Sequence, residues 1–411
     1  MENLNIDFLL RYINAKSELD TWVFGVGVVD DPNYFQKSEQ VLLKTQAELS
    51  LFDKSWNQKL GLAVNDHDRY YKNPKDPEHP FDFERGSYYG ELMKLDWQHH
   101  LKLHKTNFLT FGFEFEREEG KSRYYSESIW GPDQSVFPKK TANIKGYYVQ
   151  DEVKLLDRLF GTIGIRIDDH SRFGTETTYR IAPAYLIKET DTKIRGTIGT
   201  GFKAPSLYQL FAPATLWGPI GNKNLKPEKS KGWDVGVEQS LFGGKVVLGA
   251  TVFRNDFKDL IQFESLTGYI NVARAKTEGV EFSASGKPIE NLTIQINYTH
   301  TDTEDRITYR DLLRRPKNKF NFDLNYSFLK KGNINLGVTY VGKRDYMDPS
   351  TFTRRVKLDG YTLVNMAASY DLTKNFQIFG RVENLLDKEY EEVKGYGTPG
   401  ISFFGGIKLS F

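Results

Sequence analysis

Tyr70, Tyr71, Trp130, Tyr208, Trp217 and Tyr269 fall where the regular patterning of the chain breaks into long connections. Aromatic faces in such places suit a large flat or macrocyclic ligand, so these six are the candidate ligand-binding residues. The plainer alternative is a belt of rings at membrane headgroup level, or ordinary loop packing. Asp30, Asp31, Asp66, Asp68 and Asp76 offer oxygens that could hold calcium, which takes about 6–8 of them. Solvated acids are the simpler expectation, and no cofactor is expected. His67, His79, His99, His100 and His104 lack a ligand spacing such as HExxH. His99 and His100 would point to opposite faces of one strand, so no metal site is expected. The glycines of GTIGTGF (196–202) precede no helical pattern, which excludes a phosphate loop, and there is no GxSxG or paired-acid motif. With no cysteine there is no thiolate ligand, cysteine nucleophile or disulfide framework. The chain is not expected to be an enzyme.

The elements that must position these residues are strands. Aromatics make up 14% of the 411 residues but hydrophobics only 39%, and mean hydropathy is -0.53. No run approaches the roughly 18 apolar residues of a membrane helix. Period-two alternation recurs instead. Leu109, Phe111, Phe113 and Phe115 oppose Thr110, Gly112, Glu114 and Glu116, and Phe320, Phe322, Leu324 and Tyr326 oppose Asn321, Asp323 and Asn325. About eighteen strands follow, at 3–16, 39–52, 56–70, 86–103, 106–118, 141–154, 159–169, 175–188, 192–203, 229–240, 245–264, 268–286, 291–302, 314–329, 333–344, 359–371, 376–388 and 399–411. Short connections alternate with long ones at 17–38, 66–85, 119–140, 204–228, 303–313, 345–358 and 389–398. Loops sorted by length to opposite ends mark an outer-membrane barrel with apolar residues to lipid and polar ones to the lumen. The fold expected is therefore all-β, a transmembrane antiparallel β-barrel. The last strand ends on the short-turn side and the first rises from it. The opening MENLNIDFLLRYINAK alternates like a strand and lacks the pattern of a signal peptide. Net charge of +2 argues against a nucleic-acid partner.

Loop 204–228 contains Pro205, Pro213, Pro219 and Pro227, too much proline for a helix or central strand. Its segments GFKAPSLYQLF (201–211) and NKNLKPEKS (222–230) resemble the paired signature of TonB-dependent outer-membrane receptors. The matching residues are Phe202, Lys203, Ala204 and Pro205, then Asn222, Asn224, Leu225, Pro227 and Glu228, read as a structural corner. YINVARAKTEGVEFSASGKP (269–288), LLRRPKNKFNFDLNY (312–326) and RVENLLDKEYEEVKGYGTPGISFFGGIKLSF (381–411) resemble the family's later strands, and Phe411 its terminal assembly signal. Loop chemistry and strand spacing look closest to cobalamin and siderophore receptors. Residues 206–221 lack the histidine that the family's haem receptors place between the paired motifs.

The resemblance implies a receptor that takes up a large scarce nutrient, a cobalamin or a ferric siderophore, across the Gram-negative outer membrane. Its implied partners are the TonB system, acting through a plug, the barrel-assembly machinery and outer-membrane lipid, and a monomer is expected. The family's barrel has about 22 strands. The reading is thus of residues 1–411 as one N-terminally incomplete barrel domain, without plug or TonB box, that either recloses as a smaller barrel or needs the missing part. A passive plugless pore and a non-functional receptor fragment are the alternatives.

Overall fold

The computed structural model describes residues 3–23, 27–77, 80–215, 218–264, 267–348 and 354–410. In chain order its strands are β1 (Leu4–Glu18), β2 (Thr21–Val23), β3 (Gly27–Val29), β4 (Phe35–Leu51), β5 (Trp56–Asn73), β6 (Phe83–His104), β7 (Asn107–Ser128), β8 (Gly131–Leu155), β9 (Leu159–His170), β10 (Gly174–Ile187) and β11 (Thr192–Lys203). After one short helix, α1 (Leu207–Phe211), come β12 (Glu228–Leu241), β13 (Val246–Glu264), β14 (Gly268–Ile289), β15 (Leu292–Asp305), β16 (Asn318–Phe328), β17 (Gly332–Val341), β18 (Arg344–Met347), β19 (Arg355–Leu358), β20 (Tyr361–Asp371), β21 (Phe376–Glu383) and β22 (Ser402–Leu409). Eighteen of these strands form one sheet, while β2–β3 and β18–β19 are separate two-stranded hairpins. In the sheet each strand pairs antiparallel with the next wall strand in sequence, from β1–β4 through β17–β20 to β21–β22.

Connections of two to four residues join β4–β5, β6–β7, β8–β9, β10–β11, β12–β13, β14–β15, β16–β17 and β20–β21, all at one end. The long connections, at 19–34, 204–227, 306–317, 342–360 and 384–401, lie at the other end. The sorting expected of an outer-membrane wall is therefore present. β1 rises from the short-turn end, and β22 descends to it.

Register fixes the faces. Ile198, Trp233, Arg254, Glu278 and Asp302 form one cross-strand row at the upper edge, and below it Ile194, Val237, Ala250, Phe282, Tyr298 and Phe320 form an apolar row. Much of this apolar face is exposed, with Phe8 at 66%, Ile163 at 62% and Phe282 at 53%. Such a continuous apolar exterior is what lipid requires and water does not tolerate. The opposite face is polar and carries paired charges. Arg166 lies 2.7 Å from Asp168 and 3.3 Å from Glu114, and Lys94 lies 2.9 Å from Glu114. The polar face is concave. α1 follows β11 yet packs against β7 and β8, which in a flat sheet would stand about 14–19 Å away at the usual 4.8 Å strand spacing.

The buried hydrophobic residues among those described are Phe137, Ala142, Leu207, Leu210, Ala212, Leu225, Ala273, Ala275, Tyr346, Leu358 and Tyr361. All belong to the long-loop rim, so the wall has no apolar core of its own and its side chains face lipid or lumen.

The structure corrects three expectations. Residues 119–140 are not a loop: β7 and β8 continue paired up to Ser128 and Gly131. The proline-rich loop does hold a helix, because Pro205 and Pro213 flank a proline-free stretch that the Ser206 cap can start. The expected loops 17–38 and 345–358 contain the small hairpins β2–β3 and β18–β19. Of the two alternatives left open for the sheet's edges, the pairing favours the need for a further part: among the described residues, registered pairing joins β1 only to β4 and β22 only to β21.

Candidate functional site

The rim is built on the loop between β11 and β12. Pro205 is fully buried, and Ser206 next to it caps α1. The Ser206 Oγ accepts from Gln209 N, and Gln209 Oε1 accepts from Ser206 N, a reciprocal capping box. This turns Leu207 and Leu210 inward, where Leu207 packs with Phe137 and Ala142 of β8. Further along, Asn222 Nδ2 donates to the Tyr269 carbonyl at 2.9 Å, and Asn222 Oδ1 accepts from Asn224 N at 2.9 Å. Leu225 and Pro227 are buried. Glu228 accepts from Ile261 N at 2.8 Å and lies 3.5 Å from Lys203. Phe202 pairs with Lys229 as the two strands close, and Ala204 is the first residue beyond β11. The paired motif thus straps the loop to the β13–β14 hairpin.

Tyrosines gather beneath this strap. Tyr71 of β5, Tyr88 of β6 and Tyr124 of β7 share the concave face by register. Tyr71 and Tyr88 stack with centroids 5.8 Å apart and hydroxyls 3.4 Å apart. Tyr34, from the β3–β4 connection, leans on Tyr71 at 6.1 Å. Tyr124 donates to Glu84 at 3.2 Å, and the Arg69 guanidinium sits 4.9 Å over the Tyr88 ring. From the strap, Tyr208 contacts Phe137 at 6.2 Å and Tyr269 at 6.4 Å, edge to face, and Phe263 backs Tyr269 at 5.3 Å. Tyr88, Ser122 and Phe137 fall in one cross-strand row, so the Phe137 contact brings Tyr208 to the same face as Tyr88. The result is one aromatic surface at the mouth, drawn from six wall strands and two connections.

Burial holds four of these phenols, Tyr34, Tyr71, Tyr124 and Tyr208, protonated. It raises Tyr71, with the Tyr88 hydroxyl adding to it, and raises Tyr34, with Glu84 adding to it. Burial also leads the upward shifts of Tyr124 and Tyr208. The surface therefore presents neutral hydroxyl donors and ring faces.

Of the six candidate aromatics, Tyr71, Tyr208 and Tyr269 come together here. Tyr70, next to Tyr71 on the strand, points to the outer face and packs on Phe35 at 6.3 Å. Trp130 is 83% exposed at the tip of the β7–β8 hairpin. Trp217 and Phe411 lie outside the described residues. Tyr34, Tyr88, Tyr124 and Arg69 are additions from the structure. The signal for Tyr88 was strand parity across the β5–β6 pair, and Tyr124 was hidden in a stretch read as loop.

The five acids do not assemble. Asp66, by register on the outer face, accepts from Tyr89 at 2.8 Å, whereas Asp31 is buried and accepts from Asn73 at 2.7 Å. Among the described residues no three His, Cys, Asp or Glu side chains converge as a metal site. His99 stacks on Phe111 at 4.7 Å on the lipid face, and His100 reaches Thr110 at 3.0 Å on the other, so the two do face apart. His99 also joins Trp97 and Trp56, a ring cluster at the short-turn end of the kind found at a membrane interface.

A family model described as TonB dependent receptor-like, beta-barrel, matches residues 4–385. Among solved structures, the copper transporter OprC superposes with a TM-score of 0.80 at 16% identity, over 100% of this chain and 72% of that one. The siderophore receptor PirA from Acinetobacter baumannii gives 0.75 at 17% identity, over 92% of this chain. The ferripyoverdine receptor of the outer membrane of Pseudomonas aeruginosa gives 0.76 at 14% identity, over 100% of this chain. The chain spans only 63% of the length of each of these last two.

Proposed function

The chain belongs to the TonB-dependent receptor-like β-barrel family, and from that premise we propose that it forms the wall and mouth of an outer-membrane uptake receptor for a large metal chelate of the siderophore class. It acts as a receptor and transporter, not an enzyme. The observation that carries the reading is the convergence of Tyr71, Tyr88, Tyr208 and Tyr269 over the concave face, joined through the Tyr88–Ser122–Phe137 row. Rings and neutral phenols match the flat, oxygen-rich shell of a chelate, which has more area than one side chain can cover. Of the three structural relatives named above, one is a siderophore receptor, one a ferripyoverdine receptor and one a copper transporter. In this reading energy comes from the TonB system, and insertion depends on the barrel-assembly machinery. Cobalamin, a macrocycle, would use the same rings and is the second ligand to test. A passive pore made of this sheet alone would need β1 to pair with β22, and each has one registered partner among the described residues.

The test is quenching of intrinsic fluorescence in the full chain, titrated with ferric catecholate, ferric hydroxamate and cyanocobalamin. One class should quench saturably, and the Tyr71→Ala, Tyr208→Ala pair should weaken it by about tenfold or more, as loss of central aromatic anchors does. Absence of saturable quenching by every ligand, or unchanged affinity in the variant, would refute the reading.

A further inference from the structure

A second site lies in the wall segment that follows β14. A cavity of about 460 Å³ opens between β15, β16, β17 and β20, lined by Arg314, Arg315, Lys319, Arg344, Tyr361 and Glu392 among others. Four cations meet one carboxylate there. None of the four has a carboxylate within 4 Å among the described residues, whereas Arg166 and Arg195, also on the lumen face, are paired. Arg344 is the informative one. It is 7% exposed, and its Nη2 donates to the Glu391 carbonyl at 2.6 Å, while its Nη1 is buried with no hydrogen-bond partner among the described residues. Tyr361 stacks 5.6 Å from the guanidinium and turns its hydroxyl to Glu392, 3.3 Å away. A buried guanidinium nitrogen with no acceptor is unfavourable, and an oxyanion in the cavity would satisfy it in the planar, forked geometry that arginine offers.

We propose that this pocket binds an oxyanion, a carboxylate or phosphate group, held by Arg344 from below and by Arg314, Arg315 and Lys319 at its edge. The ligand is soluble and not a lipid headgroup. Lys319 pairs in register with Thr299 and Val341 on the lumen face, opposite the lipid-facing Tyr298, Phe320 and Tyr340. Access is therefore through the mouth. That the anion is part of an imported chelate rests on the uptake reading above; the site itself rests on the geometry of this wall segment.

Calorimetric titration of the full chain in detergent at low salt, with inorganic phosphate and separately with succinate, tests it. At least one anion should bind at a single saturable site that weakens as salt rises; which one binds separates phosphate from carboxylate chemistry. Arg315→Gln with Lys319→Gln should weaken binding about tenfold or more. Both side chains are exposed, so this variant should retain the fold, checked by heat-modifiable gel mobility. Arg344→Lys, which keeps the charge but loses the fork, should also weaken it. No saturable binding of either anion by the wild type, or wild-type affinity in the double variant, would overturn the proposal. Anion binding without any chelate binding at the tyrosines would retain this site and remove the uptake reading.

Discussion

Tyr71 and Tyr34 keep their protons because ionising them would place charge among rings and beside Glu84. An unfolded tyrosine titrates near 10, so a raised folded value favours the folded state fully below pH about 10, and that contribution is lost as pH rises through the folded value. We expect an alkaline titration of phenolate absorbance to show a late set of tyrosines that ionise with unfolding. Tyr71→Phe and Tyr34→Phe should shrink that set and flatten the stability loss above pH about 10. A single transition of all tyrosines near 10 would contradict this. Gly268 sets the same surface. Its φ is +73°, and a Cβ there would lie 2.5 Å from the Ile220 carbonyl oxygen. Gly268→Ala should therefore displace Tyr269 and cost at least about 1–2 kcal/mol locally, read as a loss of chelate affinity larger than any fall in the wall's melting temperature. At this scale the sequence was legible only in part. Residue type marked Tyr71, Tyr208 and Tyr269, but Tyr70 and Tyr71 are neighbours on one strand and only one can face the lumen. Which one does so depends on register across β5 and β6, which no local pattern states.

Strands were the most readable elements, because lipid on one face and water on the other impose strict alternation. β11 matches its expected span, and most other wall strands shift by only a few residues at their ends. The pattern faded where that asymmetry ends. Between 116 and 123 the chain reads EREEGKSR, polar on both faces, since the β7–β8 hairpin there stands above the membrane and water reaches both sides. Helix α1 escapes the pattern for another reason: the prolines of its loop bracket the helix instead of interrupting it. The short turns can be read energetically. Leu329 and Lys330 hold φ of 52° and 57°, the left-handed pair of a tight hairpin turn that favours Asn-Gly. Lys330→Gly should relieve this strain and raise stability by up to about 1 kcal/mol, seen as a higher urea midpoint at unchanged slope. A lower midpoint would mean that the Lys330 side chain contributes more than its backbone costs.

As a whole, the described residues form a curved wall with β1 and β22 at its edges, each with one registered partner, and a built rim. β1 runs for 15 residues with one side unpaired, and unpaired backbone groups in lipid cost several kcal/mol each. The absence of native cysteine makes the seam testable. Leu10→Cys with Leu43→Cys, opposed in register, should cross-link readily, whereas Leu10→Cys with Phe403→Cys on β22 should not. Efficient β1–β22 cross-linking would mean the sheet closes on itself. The number of strands, their direction and the sorting of loops were all legible in sequence; the mouth was not, because its surface joins residues from β3–β4 to β14 that meet only once the sheet curls. The account stands on that mouth facing outward and receiving the ligand. Its most direct test is a single Tyr208→Cys variant on intact cells, labelled with a membrane-impermeant maleimide in the presence and absence of saturating ferric chelates or cobalamin, with Trp130→Cys as the exposed control. The account predicts that both cysteines label and that one ligand protects position 208 but not position 130. Failure of position 208 to label while position 130 labels, or labelling that no ligand reduces, would contradict it.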